Sequence, residues 1–302
     1  MTVHVRRKTL ERGAVRGFVR RFIREKRLGV VGAVIMLILL VCGLFADLLA
    51  PYGMDEKSLP DRFAAPSAQY LLGADQVGRD ILSRLIYGAR ISMLVGLAAT
   101  TVTVAVAALV GVPSGYFGGR FDVITQRFVD AWMSFPELLV LLTVMSMVGR
   151  GQLQIILVIG IFTGIRWTRV VRGAVIGIKE NDYFEAARAV GQSHLGIILR
   201  HILPNILGPL IVIYSVSLGW AILAEASLSF LGFGLPLDVP SWGGMLSGEG
   251  RRYLERKPAL AMWPGVCLTV VIYGINMLGD ALRDLLDPRL AGTARTRPGT
   301  DG

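Results

Sequence analysis

The chain has few of the residues that build disulfide frameworks, metal sites and nucleophilic catalytic sites. It holds two Cys and three His among 302 residues. Two cysteines exclude a disulfide scaffold and a four-ligand zinc site. Both Cys42 and Cys267 fall in apolar runs, where we expect thiols that pack like Ala. None of His4, His194 and His201 lies in a His-Glu-x2-His pattern or beside a Gly-x-Ser-x-Gly elbow, which disfavours an intramembrane hydrolase.

Charged residues are also scarce, at 18% of the chain, whereas hydrophobic residues make up 53%. Soluble domains hold about a quarter charged residues, so this composition indicates a lipid bilayer as the solvent. The charge is one-sided, because 32 Lys and Arg against 22 Asp and Glu give a formal charge of +10. In an apolar chain such an excess is typical of membrane topology and of contact with the lipid surface, and we expect no nucleic-acid partner.

Six apolar stretches approach the length of about 20 residues that a helix needs to cross the hydrocarbon layer. We therefore predict an all-α polytopic membrane protein with six transmembrane helices. The first has an apolar run longer than a secretory signal core and no small-residue cleavage pattern after it, so we expect it to be retained. The last five form a predicted core over residues 88–284. The predicted helices span residues 28–50, about 91–117, 131–149, 151–171, 205–233 and 259–281.

The distribution of Lys and Arg predicts the orientation of these helices. If the amino terminus is cytoplasmic, 22 of the 32 basic residues fall in cytoplasmic segments. The positive-inside bias therefore places both termini in the cytoplasm. We expect residues 1–27 to form a basic cytoplasmic segment that contacts the lipid surface, and residues 285–302 to form a cytoplasmic tail.

The predicted external loop, residues 51–87, ends in an amphipathic stretch. Apolar residues recur there at helical spacing, whereas Asp80, Ser83 and Arg84 face away from them. We expect this stretch to lie along the membrane surface, either as a collar that orients the second span or as a substrate gate. The apolar residues are Ile81, Leu82, Leu85 and Ile86.

The segment between the fourth and fifth spans, residues 182–204, is too polar for lipid and carries helix caps. Asp182 and Glu185 are spaced as in a capping box, and Gly191 can end that helix in the left-handed conformation. Ser193 can cap a second helix, which must yield near Pro204 because proline lacks the amide proton. The pattern predicts a compact helix-turn-helix at the cytoplasmic surface that docks a partner.

Short strings along the chain carry a family resemblance. Glu185-Ala186-Ala187, then Gly191, then Ile202-Leu203-Pro204-Asn205 resembles the EAA loop of permeases of binding-protein-dependent ABC importers, with His201 where that loop has isoleucine. With the further strings, residues from about 20 to 290 resemble the "C" permease subunit of oligopeptide and dipeptide importers. Those strings are Leu72-Gly73-Ala74-Asp75, Gly78-Arg79-Asp80, Gly88-Ala89-Arg90-Ile91-Ser92, Gly115-Tyr116-Phe117-Gly118-Gly119, Ser241-Trp242-Gly243, Gly279-Asp280-Ala281-Leu282-Arg283-Asp284 and Leu286-Asp287-Pro288-Arg289.

The resemblance implies a type I ABC importer permease fold with cytoplasmic coupling helices, in the inner (plasma) membrane of a bacterium or archaeon. It implies three kinds of partner: a homologous "B" permease, two ATPase subunits and an extracytoplasmic solute-binding protein. ATP and Mg²⁺ would then bind the partner ATPases, so we expect no cofactor in this chain and no enzymatic activity of its own. In agreement, the sequence contains no Gly-x4-Gly-Lys-Ser/Thr loop that could hold phosphates.

The resemblance also implies residue roles in the EAA segment. Its helices would dock in a cleft on the ATPase and move when ATP closes that cleft. For Glu185 a structural role is the alternative, as a helix-start carboxylate stabilised by the helix dipole. The implied ATPase-coupling residues are Glu185, Ala186, Ala187 and Gly191, flanked by His194, Arg200, His201 and Pro204.

Two carboxylates, Glu137 and Glu225, fall inside predicted spans. A carboxylate at mid-bilayer costs about 3 kcal/mol on insertion scales, which indicates a protein-facing or wet surface. Either could be an inter-helix hydrogen-bonding group or part of the translocation path. They also carry the alternative hypothesis, a proton-coupled secondary transporter that uses Glu137, Glu225 or Asp280. A permease for nickel chelates or other solutes is a further alternative.

The fourth predicted span has two more polar features. It meets Arg166 after 15 uncharged residues, so the helix either tilts or carries Arg166 and Arg169 at its polar end. Two pairs of glycines four residues apart suggest close helix contacts: Gly160 with Gly164, and Gly173 with Gly177.

Overall fold

The computed structural model describes residues 21–236 and 238–286. Over those residues the chain is α-helical, with an isolated β-bridge between Ala74 and Asp80 as its extended pairing. Most of the predicted basic segment 1–27 and of the predicted tail 285–302 lies outside the described residues. The α-helices are α1 Arg27–Leu44, α2 Ala46–Leu49, α3 Ile81–Phe117, α4 Gly119–Met133, α5 Glu137–Val148, α6 Gln152–Lys179, α7 Asp182–Ala189, α8 His194–Ile197, α9 Leu207–Phe230, α10 Trp242–Met245 and α11 Ala259–Leu286.

Five helices, α1, α3, α6, α9 and α11, are long and apolar enough to cross a membrane. Helices α4 and α5 pass the same test as a pair, although they meet at an angle of 88°, so the count reaches six with one broken span. The predicted third span, residues 131–149, is therefore not one continuous helix. The chain breaks at Pro136, which is extended (φ −61°, ψ 118°) and lacks the amide proton of a continuous helix.

The second helix is longer than predicted. Helix α3 begins at Ile81, because the Asp80 carboxylate caps it there by accepting a hydrogen bond of 2.7 Å from the Ser83 amide. From that residue the helix runs without interruption to Phe117. The separate surface collar is thus part of the span. The polar residues of this turn do not face solvent: Ser83 and Arg84 are buried, and Arg84 lies 3.9 Å from the Asp75 carboxylate.

Helices α3 and α6 pack closely along small residues. A methyl group added at Gly160 would lie 2.5 Å from the Val102 side chain, and one at Gly164 would lie 2.7 Å from Val106. Gly173 and Gly177, in contrast, have open space around them. The first predicted glycine pair is a helix contact and the second is not.

Several span ends differ from their predictions. Helix α6 continues past 171 to Lys179, whose ammonium group donates a hydrogen bond of 2.9 Å to the Tyr116 carbonyl near the end of α3.

At the same end of the molecule, the Lys26 ammonium before α1 lies 2.5 Å from the Asp284 carboxylate of α11. We call this the α7 end, because residues 182–206 lie there; residues 149–151 and 231–258 lie at the opposite end.

Candidate functional site

Residues 182–206 are fixed to the ends of α3 and α6 by a small apolar core. The side chain of Phe184 is only 2% exposed and packs edge-on against the Tyr116 ring, with centroids 6.1 Å apart. Ile197 and Ile202 are buried in the same cluster as Val175 of α6. This segment is therefore packed directly against two membrane-spanning helices.

The turn between α7 and α8 has the predicted local geometry with one correction. Gly191 adopts the left-handed conformation (φ +77°), and the Gln192 amide donates to the Ala187 carbonyl, as at a glycine-ended helix. Ser193 caps α8 by accepting a hydrogen bond of 3.2 Å from the Gly196 amide. The prediction of a capping box that begins at Asp182 was wrong. The cap residue of α7 is Asn181, whose side chain donates to carbonyl groups of α6.

The second helix is irregular up to the proline. After α8 the chain makes a π-helical turn, Ile198–Ile202, followed by a short helical turn that contains Pro204 and leads into α9. His201 is hydrogen-bonded to the Gln192 side chain at 2.8 Å, and His194 to the Tyr116 hydroxyl at 2.6 Å. Both histidines serve local structure. No group of three or more His, Cys, Asp or Glu side chains that could hold a metal ion exists among the described residues.

The outward surface of this segment combines charge with exposed apolar side chains. Glu185, Ala186, Gly191 and Arg200 are exposed, whereas Ala187 is partly buried against the apolar core. No described residue forms an ion pair with Glu185. Large apolar side chains are exposed beside these residues: Tyr183, Val190, Leu195 and Leu199. Such a surface is suited to protein contact.

Glu137 lies at the start of α5 and joins three helices. Its Oε1 accepts hydrogen bonds from the Thr163 hydroxyl at 2.9 Å and from the Trp220 indole at 3.0 Å. Its Oε2 accepts from Arg166 at 3.3 Å. Helix α6 continues thirteen residues beyond Arg166 to Lys179, so Arg166 and Arg169 lie within the helix and not at its end. The opposite charges in consecutive predicted spans were the signal for this pairing.

Glu225 lies in a closed environment on α9. Its side chain is 0% exposed, and Oε1 accepts a hydrogen bond of 2.7 Å from the Ser229 hydroxyl. The carboxylate packs below the α10 region, where Gly243 touches the backbone of Ala226. Ser229 lies one turn later on the same helix, so this hydrogen bond does not join α9 to another helix. Within the described residues, Glu225 has no cationic partner.

The opposite end of the molecule holds a polar cavity that the sequence reading missed. The cavity has a volume of about 540 Å³, and Arg79, Arg84 and Arg150 are among its lining residues. Arg79 donates hydrogen bonds to Asp75 at 2.6 Å and to Asp55 at 3.1 Å. Hydrogen bonds from the Lys57 ammonium and then from Arg79 hold the pKa of the Asp55 carboxyl below its ordinary value.

Comparison with known proteins places these features in a family. Residues 104–292 match the family described as binding-protein-dependent transport system inner membrane component. Residues 15–66 match the N-terminal transmembrane domain of oligopeptide transport permease C.

Curated relatives match almost the whole chain. The dipeptide transport system permease protein DppC of Alkalihalophilus pseudofirmus is 35% identical over 89% of this chain and 88% of its own. The glutathione transport system permease protein GsiD of Escherichia coli O1:K1 is 36% identical over 91% of this chain and 90% of its own.

Proposed function

This chain belongs to the family of inner-membrane components of binding-protein-dependent transport systems, and we propose that it is a peptide permease subunit driven through residues 182–206. Members of this family are multi-pass membrane proteins that work with a second permease, ATPases and a binding protein. The dipeptide and glutathione relatives support peptides as the substrate class over nickel chelates. The family does not favour the proton-coupled carrier.

The observation that supports the proposal is how the EAA segment, residues 182–206, packs against the membrane-spanning helices. Its outward surface is exposed and partly apolar, whereas its inner surface is locked through Phe184 to Tyr116 of α3. A partner that binds the outer surface and changes conformation would therefore move α3 and α6. We infer that an ATPase subunit is that partner, with ATP and Mg²⁺ bound there and not in this chain.

The proposed orientation places the α7 end in the cytoplasm, because an ATPase can reach the segment only from that side. Lys26 and Asp284 lie at the same end, so both ends of the described chain would face the cytoplasm. This agrees with the positive-inside bias of the sequence.

The test is Glu185→Arg in the assembled importer. We expect loss of peptide uptake with normal membrane insertion, because the substitution reverses an exposed charge on the docking surface without disturbing the buried Phe184. The matched control is Glu180→Arg, which makes the same charge change at an exposed position between α6 and α7. Unaltered uptake and unaltered ATPase binding by Glu185→Arg would contradict the coupling role.

A further inference from the structure

Three arginines on α6 face three carboxylates of the broken span. Arg166 pairs with Glu137, Arg169 with Asp130, and Arg172 with Asp122. The Arg166 side chain is the most exposed of the three, at 60%. Arg166 is therefore the arginine of the three that a ligand can reach most easily.

The depth of this pair indicates that lipid does not cover it. Arg166 lies 14 residues after Gln152, about 21 Å along α6, and Trp220 lies ten residues before Phe230, about 15 Å along α9. Both distances are shorter than the thickness of a hydrocarbon layer, about 30 Å, so a layer that begins at those helix ends contains both side chains. An exposed guanidinium there would cost about 3 kcal/mol against lipid, so this surface faces water or protein.

The hydrogen bonds show which member of the pair is available. Both Glu137 oxygens are occupied, by Thr163 and Trp220 on one side and by Arg166 on the other. Arg166 uses one of its five N–H donors, on Nη1, within the described chain. The other donors belong to a side chain that is 60% exposed, so an anionic ligand can reach them, and Glu137 holds the guanidinium in place.

The charge around Arg166 also favours an anion. Arg127 lies 3.6 Å from Asp130, the same carboxylate that pairs with Arg169. Arg127, Arg166 and Arg169 thus share two carboxylates, Asp130 and Glu137, which leaves a net charge of +1. One added carboxylate would neutralise the cluster.

Two cavities meet at Glu137 and Arg166. One, of about 260 Å³, has aromatic walls that include Trp132 and Phe162. The other, of about 500 Å³, is lined in part by Trp167 and Trp220. Each has room for the side chain of a small residue beside the guanidinium.

We propose that Arg166 binds the terminal carboxylate of the peptide in transit, with Glu137 as a positioning residue. This rests on the proposed peptide permease function. It names the group of the substrate that the permease recognises and the residue that recognises it. The contact is a charge-assisted hydrogen bond of the kind that arginine makes with carboxylates.

The test uses the complete importer in proteoliposomes with saturating binding protein, and compares uptake of dialanine with uptake of its C-terminal amide. For Arg166→Gln we expect about a tenfold lower maximal rate with dialanine and about the same rate as the parent with the amide. Arg166→Lys should recover part of the dialanine rate. The control Arg120→Gln removes the same charge from the first turn of α4, and both rates should stay unchanged.

Two outcomes would overturn the assignment. Equal slowing of both peptides by Arg166→Gln would mean a structural pair or a contact with the second permease. Recovery of dialanine uptake by the charge-reversed double variant Glu137→Arg/Arg166→Glu would mean that the ion pair alone matters. If the parent importer moves neither dialanine nor glutathione, the peptide function itself fails, which is a different result from equal slowing of a working importer.

Discussion

Glu137 and Glu225 are both carboxylates within the membrane spans, yet their exposure and their hydrogen-bond partners differ sharply. Glu137 retains 19% side-chain exposure, accepts hydrogen bonds from three side chains on two helices, α6 and α9, and borders open cavities. Glu225 is fully buried, and the Ser229 hydroxyl is its donor.

Helix α9 separates these two regions. It presents Trp220 to the open side and Glu225, five residues later, to the closed core beside Ala226 and Gly243. A carboxylate in a span therefore does not by itself mark a translocation path. Of these two carboxylates, Glu137 is the one that has an exposed cationic neighbour, Arg166, within the described part of the chain.

The largest effect is expected from a cation placed at the Glu225 site. Glu225→Lys should destabilise the protein most, by about 3–5 kcal/mol, because the ammonium would be buried without an anionic partner. We expect little folded protein in detergent, measured by size-exclusion chromatography and thermal unfolding.

The neutral variant Glu225→Gln serves as the control. It keeps the shape of the side chain and an oxygen that can accept from Ser229. We expect near-normal yield and thermal stability for it. A stable, monodisperse Glu225→Lys protein would show that the region around Glu225 is wet, and the contrast between the two carboxylates would disappear.

Local sequence patterns predicted much of the α7 end. The αL conformation of Gly191 and the Ser193 cap follow from the residues at those positions and a few neighbours. Runs of apolar residues also located the first residues of α1, α9 and α11 to within two positions. These features depend on short-range physics, which one sequence contains.

The features that the sequence reading missed depend on contacts between distant residues. Hydropathy summed over residues 131–149 hides the amphipathic α4, whose polar Asp122 and Asp130 face arginines of α6. Arg84 has a polar side chain, yet it is buried because the external loop supplies Asp75. The pairing of Glu137 with Arg166 likewise needs the fold, since both charges were visible but their separation was not.

Packing density offers a second test of the same comparison. A methyl group at Gly243 would lie 2.3 Å from the Ala226 carbonyl oxygen, and backbone cannot move aside cheaply. We expect Gly243→Ala to destabilise the protein by about 1–3 kcal/mol in thermal or denaturant unfolding. Gly248→Ala, in the next turn with nothing within 4 Å, should change stability by less than about 0.5 kcal/mol. Equal effects of the two substitutions would show that the region around Glu225 is loosely packed.

The smallest expected effect is the contribution of the ion pair between Glu137 and Arg166 to the stability of the protein. A double-mutant cycle of Glu137→Gln and Arg166→Gln should give a coupling energy below about 1 kcal/mol, because the arginine is 60% exposed and solvent screens the attraction. The less exposed pair of Asp122 and Arg172, with a hydrogen bond of 2.6 Å, should give a larger value. The measurement is the unfolding midpoint of the four proteins in each cycle. A coupling at Glu137 equal to or above that at Asp122 would mean that Arg166 is held mainly for stability, and its free donors would lose their functional interpretation.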